Sequence, residues 1–450
     1  MAVSENRNGP SVDLQVAEQA YARGDLQFAG HTCSQCLSKN PEDVEALLLM
    51  AKVLMDTEKS PLALALSEKI TKLAPKDWRG WLLRGMCETS LLPGSPMGSM
   101  HKAESLAPDN PAILRSMAFA YVSSFDFKKA ESYARRAIPL ENHPQGHVAL
   151  GFALLHTERW GEGWDEYAHG MGHQAFREKQ DWGIPEWNGE EGRLLVYGEQ
   201  GLGDQIAYCS TLRDANVTQL VCHPKLKAIF TETLDCEVHG DQFKKEIDWP
   251  VRADFAVSMS GLQRWHRRKR EDFTGEPYLV PHPGKQFQWK ALLRALGRRP
   301  KIGIAWTGGT VGAHGWYSRN ITLMDLKPII EGVDADFISL EYKDRGEEID
   351  ASGLPVHDFP WGTQTDNYED TIALISCLDA VVCVPTTAYH AAGALGVPAI
   401  VMVHDTPHFH ECTPWWKSVQ FLDRKGDYKT KVLERLRQCV SSSESTPVAP

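Results

Sequence analysis

The sequence predicts an α-helical solenoid followed by two α/β lobes with doubly wound, Rossmann-like sheets. Three observations carry this expectation. Between residues 10 and 170, turn prolines and small residues return about every 34 positions. From Arg193 onward, short apolar runs alternate with amphipathic stretches. Glycine-rich loops then follow the first strand of each lobe, in "GEQGLGDQI" and in "WTGGTVGAHGWYSRN".

The helical part is read from its period. Pro41, Pro75, Pro108 and Pro144 stand 34, 33 and 36 residues apart. Small residues recur where paired helices must touch, at Ala17, Ala51, Gly85, Ala118 and Gly151, with Ala29, Ala63 and Ala130 in the partner helices. A period of about 34 with a Gly/Ala crossing point and a proline after the second helix is the tetratricopeptide pattern. It predicts roughly five helical pairs stacked into a solenoid, whose groove suits a peptide or protein partner. The third repeat is irregular, with Pro93, Gly94, Pro96 and Gly98 at its inter-helix turn, where a longer loop is expected. Cys33 and Cys36 form a CxxC without a second pair, on a predicted helix, and so read as packing residues.

A connector over residues 171–192 leads into the first lobe, residues 193–298. Strands are expected at "RLLVY", "TQLVC", "CEVH" and "DFAVSM", with a helix at "KLKAIFTETL". A break around "PHPGKQFQW" and a basic helix, "KALLRALGRRP", lead to the second lobe, residues 299–440. Its expected strands are "KIGIAW", "DFISLEY", "LPVHDF", "DAVVCV" and "PAIVMV", with helices at "LMDLKPIIEG", "YEDTIALISCL" and "TAYHAAGALG". Strands alternating with helices indicate parallel sheets. Such sheets bind ligands beyond the carboxyl ends of their strands. Residues 441–450 lack apolar content and are expected to be a disordered tail.

Composition narrows the function classes. The 450 residues carry a formal charge of −11, which argues against general nucleic-acid binding. The basic run "RWHRRKR" at 264–270 opposes that balance and reads as a solvated surface patch. Ten cysteines without framework spacing suit a reducing compartment. No apolar run approaches the ~18 residues of a membrane span, and "MAVSENRNGP" lacks a signal-peptide core. A cytoplasmic protein is expected.

Chemistry concentrates in the loops. Gly201 and Gly203 precede a helix, where backbone N–H groups and the helix dipole favour an anion or a polar substrate group. Asp204 beside them is either a helix-capping acid or a base. In the second lobe, "VCVPTTAYHAAGALGVP" delivers Pro385, Thr386 and Thr387 to a helix start with His390 one turn on, a cradle suited to phosphate. The glycine-rich loop after "KIGIAW" carries Thr307, Thr310, His314 and Arg319, the last a cation suited to a diphosphate.

Taken in order, "GEQGLGDQI", "GIAWTGG" with "RNIT", "FISLEYKD", "LISCLDAVVCVPTTAYHAAGALGVP" and "PWWKSVQFL" make the C-terminal half resemble glycosyltransferase family nine, the ADP-heptose:lipopolysaccharide heptosyltransferase group. With the repeats, the whole resembles tetratricopeptide proteins carrying such a module. The resemblance implies a GT-B fold, a nucleotide-diphosphate sugar bound mainly by the second lobe, and an acceptor, glycan or protein, bound by the first. It makes Asp204 the catalytic base, and it implies donor contacts from Gly201, Gly203, Thr307, Arg319, Glu341, Thr386, Thr387 and His390, with Glu341 at the ribose. Pro385 stands where the family carries an acid, and its side chain accepts no hydrogen bond from a sugar hydroxyl. Sugar transfer with inversion needs a base for the incoming hydroxyl, positive surroundings for the departing diphosphate, and stabilisation of an oxocarbenium-like centre. No metal cofactor is expected. The "DAD" at 334–336 precedes a strand and lies at the wrong sheet edge, and the "HDTPHFHEC" loop at 404–412 reads as polar substrate contact rather than a zinc site. The second reading is a non-catalytic tetratricopeptide scaffold with a degenerate glycosyltransferase-like module.

Overall fold

The computed structural model describes residues 12–443, apart from 93–96, 174–175, 243, 245, 310–318 and 404–412. The irregular third-repeat turn, Thr310, His314 and the 404–412 loop therefore lie outside the described residues. The chain divides into two compact units, one running through residue 153 and the other beginning at residue 154.

The first unit is a run of paired helices: α1 (Val12–Ala22), α2 (Leu26–Lys39), α3 (Val44–Asp56), α4 (Ser60–Leu73), α5 (Trp78–Leu91), α6 (Gly98–Leu106), α7 (Pro111–Ser123), α8 (Phe127–Ala137) and α9 (Pro144–His156), which crosses the division. Each helix from α1 to α8 packs on the next, and α1, α3, α5 and α7 also touch in succession, the nearest-neighbour pattern of a tetratricopeptide-like array. Acidic and amide caps start many of the helices. Asp43 Oδ1 accepts from the N–H groups of Glu45 and Ala46, and Asn110 Oδ1 from those of Ala112 and Ile113. The small residues named from the period are all buried, and a methyl group at Gly85 would stand 2.4 Å from Met100 Cγ. Cys33 and Cys36 pack with Leu14, Ala17, Ala46 and Leu49, and burial pushes the Cys33 thiol up to about 11. The turn inside each pair needs one left-handed residue. Among the described residues it falls at Gly24, Glu58, Phe125 and, in the turn after α9, Glu158, so glycine marks it only once there.

The second unit opens with α10 (Trp160–Ala168) and the connector. The first lobe holds β1 (Leu194–Tyr197), α11 (Leu202–Cys209), β2 (Val217–Val221), α12 (Lys227–Thr233), β3 (Glu237–His239), β4 (Phe255–Ser258) and α13 (Met259–His266). Its four strands are parallel in the order β3-β2-β1-β4. After α14 (Pro283–Ala295) come β5 (Lys301–Ala305), α15 (Lys327–Ile330), β6 (Asp336–Ser339), α16 (Gly346–Ser352), β7 (Val356–His357), α17 (Pro360–Thr363), α18 (Glu369–Ile375), β8 (Ala380–Cys383), α19 (Thr387–Leu395), β9 (Ala399–Val403), β10 (Val419–Asp423) and α20 (Tyr428–Ser443). The six strands are all parallel in the order β10-β9-β8-β5-β6-β7. The chain runs outward from β5 to one edge and then returns to build the other, as in a doubly wound sheet. Every residue of β5, β6, β8 and β9 is buried, as a strand covered on both faces requires.

Several expectations change. The tail boundary at 440 moves, because α20 continues through Ser443. The break at "PHPGKQFQW" is instead the start of α14: Pro283 takes the first helical turn, where its missing N–H costs nothing, and the His282 side chain accepts from Lys285 N–H. The basic run lies on the surface as expected, with Arg264, Trp265, Arg268, Lys269 and Arg270 exposed, and three of its arginines also make ion pairs. Arg264 and Arg268 bind Asp165 of α10 at 2.8 and 2.9 Å, and the buried Arg267 binds Asp214 at 2.7 Å. Asp336 of the "DAD" is buried and held by Lys301 Nζ at 2.9 Å and by Arg299, leaving the carboxylate occupied at the start of β6. Among the described residues no helix is long and apolar enough to cross a membrane.

Candidate functional site

The strand order reverses between β5 and β8, the switch point at which open α/β sheets bind ligands. The loop after β5 is anchored from below by Glu341, which is 1 % exposed. Its Oε1 accepts the N–H groups of Trp306 at 2.7 Å and Thr307 at 2.8 Å, and its Oε2 accepts the Thr307 hydroxyl. Burial pushes the Glu341 carboxyl above its usual range, against the hydrogen bonds that favour its charge. Both oxygens take part in shaping the loop.

Gly308 follows. Its N–H donates to Asn320 Oδ1 at 2.8 Å, and a methyl group there would lie 2.3 Å from the Pro385 carbonyl oxygen. Backbone therefore meets backbone between the β5 and β8 loops, which only glycine permits. Gly309 takes a φ of +76°, its carbonyl accepts the Tyr342 hydroxyl at 3.3 Å, and it lies beside the Arg319 side chain. Gly308→Ala is expected to cost about 1–3 kcal/mol, the usual range for overpacking, because a carbonyl cannot rotate away as a flexible side chain can. Urea denaturation would show it, and a change under a few tenths of a kcal/mol would mean the two loops separate freely.

β8 delivers Pro385 and Thr386 to α19. Thr386 is the N-cap in extended conformation, and its hydroxyl makes no capping bond, so the first N–H groups of α19 are not met by that side chain. His390, 4 % exposed, lies one turn further along. Trp416 Nε1 donates to His390 Nδ1 at 3.2 Å. An indole N–H is a donor only, so this bond assigns the imidazole proton to Nε2.

The first lobe contributes its glycine loop. Gly201 N–H donates to Asp204 Oδ2 at 3.2 Å, so Asp204 caps α11 from its third position. Gly203 approaches the second lobe: a methyl group there would stand 3.0 Å from His390 Cδ2 and 3.5 Å from Thr387 Cα. α11 and α19 thus pack start to start. Of the residues named from sequence, Gly203, Thr307, Arg319, Thr386, Thr387 and His390 are gathered around this junction. Gly201 and Asp204 flank Gly203 at the start of α11, and Glu341 lies beneath the β5 loop.

Glu199, in the same loop, carries no assignment from the sequence. Its Oε1 accepts Ser260 N–H at 3.1 Å, tying the β1 loop to α13. Arg177 Nη1 donates to Ser260 Oγ at 2.7 Å, and its guanidinium lies 3.7 Å from the centre of the Tyr167 ring. Burial pushes the Glu199 carboxyl up, while Arg177 acts in the opposite direction. The available signal is a second acid within "GEQGLGD", but its partners lie 22 residues before it, at Arg177, and 61 after it, at Ser260.

No family model matches the chain. It is similar to Protein FlbA of Caulobacter vibrioides, at 24% identity over 420 residues covering 84% of this chain and 70% of that protein. A tetratricopeptide protein of Thermus thermophilus is similar in structure at 22% identity, covering 35% of this chain and 87% of its own, with a TM-score of 0.33. PilF of Pseudomonas aeruginosa is similar at 15% identity over 38% of this chain and 76% of its own, with a TM-score of 0.32.

Proposed function

We propose that the second unit is an inverting glycosyltransferase of GT-B type, moving a sugar from a nucleotide-diphosphate sugar to a glycan or protein acceptor, with the helical repeats as the platform for that acceptor or another protein. The observation that carries this reading is the convergence of three loops, after β1, β5 and β8, on the switch point of a doubly wound sheet. There the donor's diphosphate faces the first N–H groups of α19, the hydroxyls of Thr386 and Thr387, and Arg319, while Thr307, its hydroxyl given to Glu341, shapes the loop beside it. The Nε2–H of His390 adds a neutral donor. Gly201 and Gly203 let the sugars approach backbone, and Asp204 takes the acceptor proton.

A panel of nucleotides and nucleotide-sugars, tested on the full chain for thermal protection, examines this reading. A ligand at 100 times its Kd adds about 2.7 kcal/mol of stability. Protection by a nucleotide diphosphate, weakened in Arg319→Ala, is expected. Transfer is expected to survive chelation by EDTA, since the diphosphate charge is met by N–H groups and Arg319; loss on chelation with recovery in manganese would overturn that part. One observation favours the scaffold reading instead. Gly203 is closed against His390, and Asp204 is engaged as a helix cap. If no common nucleotide protects the chain, the scaffold reading replaces the enzyme.

A further inference from the structure

The connector does more than join the stretches of sequence on either side of it. Pro185 accepts Ala256 N–H at 2.9 Å and Trp187 N–H donates to Ala256 O at 2.9 Å, so this segment runs as an extra parallel edge beside β4. Before that edge, the connector crosses the face of the first-lobe sheet and leaves a cavity of about 850 Å³ against it. That volume falls within the roughly 300–1,000 Å³ of small-ligand pockets. Its apolar wall is Trp182 with Tyr197, ring centres 6.1 Å apart, and Trp182 is backed by Trp249 at 5.8 Å. Its polar wall is Glu178, Asp181 and the Lys179–Glu186 ion pair. The indole Nε1 of Trp182 is buried within the packing and has no acceptor among the described residues, so this residue offers the cavity its ring and not its N–H.

We propose that this groove is a glycan-binding site, taking a neutral oligosaccharide with a sugar ring laid on Trp182 and its hydroxyls bonded to Glu178 and Asp181. A sugar presents an apolar C–H face and hydroxyls that both donate and accept, which matches an aromatic wall beside mixed acceptors and donors. A cationic peptide would use the acids but would meet Lys179 among them. The groove also reaches the glycine loop, because Gln180 Nε2 donates to Gly198 O at 3.4 Å beside Tyr197. A role for the groove in holding the acceptor rests on the transferase reading; glycan binding itself does not.

The test is an array of neutral oligosaccharides and basic peptides probed with the full chain. Binding to oligosaccharides is expected, reduced at least about tenfold in Trp182→Ala and largely kept in Trp182→Phe. Glu178→Ala alters an exposed residue and is expected to weaken binding severalfold without unfolding the protein. No oligosaccharide bound, binding indifferent to both alanine variants, or capture of basic peptides alone would each overturn the proposal. Nucleotide protection without glycan binding would remove the groove and leave the transferase reading standing. Glycan binding without nucleotide protection would do the reverse.

Discussion

Trp164→Ala is expected to destabilise the second unit by about 3–5 kcal/mol, the range for emptying a buried tryptophan site. Trp164 is 1 % exposed, and its ring packs edge-on to Tyr208 at 6.1 Å and beside Trp415 at 6.5 Å, so one helix before the lobes fills a hole that both lobes line. Trp160 packs on Phe273 at 5.0 Å in the same way. The clamp of Arg264 and Arg268 on Asp165 holds the same helix from its polar side, although these partly exposed pairs contribute little by themselves. A fragment beginning at Gly192, just ahead of the first lobe, would lack α10 and expose Tyr208 and Trp415. It is expected to be insoluble or molten. Urea denaturation followed by near-ultraviolet circular dichroism checks the point mutant, and a loss below about 1 kcal/mol would mean that α10 is an accessory to the lobes.

Asp204→Asn is expected to leave the melting temperature near that of the parent while lowering transfer roughly 10²- to 10⁴-fold, the usual contribution of a general base. The separation of the two readouts comes from the cap. An asparagine side-chain oxygen can still accept the Gly201 N–H that Asp204 Oδ2 accepts at 3.2 Å, so α11 keeps its start. What the substitution removes is basicity. Parent-like turnover would take Asp204 out of the mechanism, and Glu199, the other acid of that loop, would become the next to test. A variant that unfolds would show that the charge on Asp204 is needed for the fold.

Where the sequence is legible, a local physical rule is at work. The buried strands β5, β6, β8 and β9 show as continuous apolar runs because both faces are covered. β10 escapes a sequence reading because it is an edge strand of intermediate and exposed residues, "VQFLD", with nothing periodic to mark it. The start of α14 is hidden by a proline and a histidine that look like a loop but serve as first turn and cap. Left-handed turns at Glu58 and Phe125 carry no glycine, so they are invisible too.

By itself, then, the sequence determined the repeat period, the alternation of strand and helix, and the loops on which glycine, threonine and acid are concentrated. These depend on backbone propensity and on patterns a few residues long. Tertiary structure decided how each polar group is used. Glu341 became a loop anchor because Trp306 and Thr307, 34 to 35 residues earlier, bring three donors to its carboxylate. Arg264 and Arg268 became a clamp because Asp165 comes to them from about a hundred positions away. Gly203 meets His390 across nearly two hundred residues. A charge or hydroxyl has the same letter whether it caps, anchors or reacts, and only the partner that folding brings within about 3 Å distinguishes these roles.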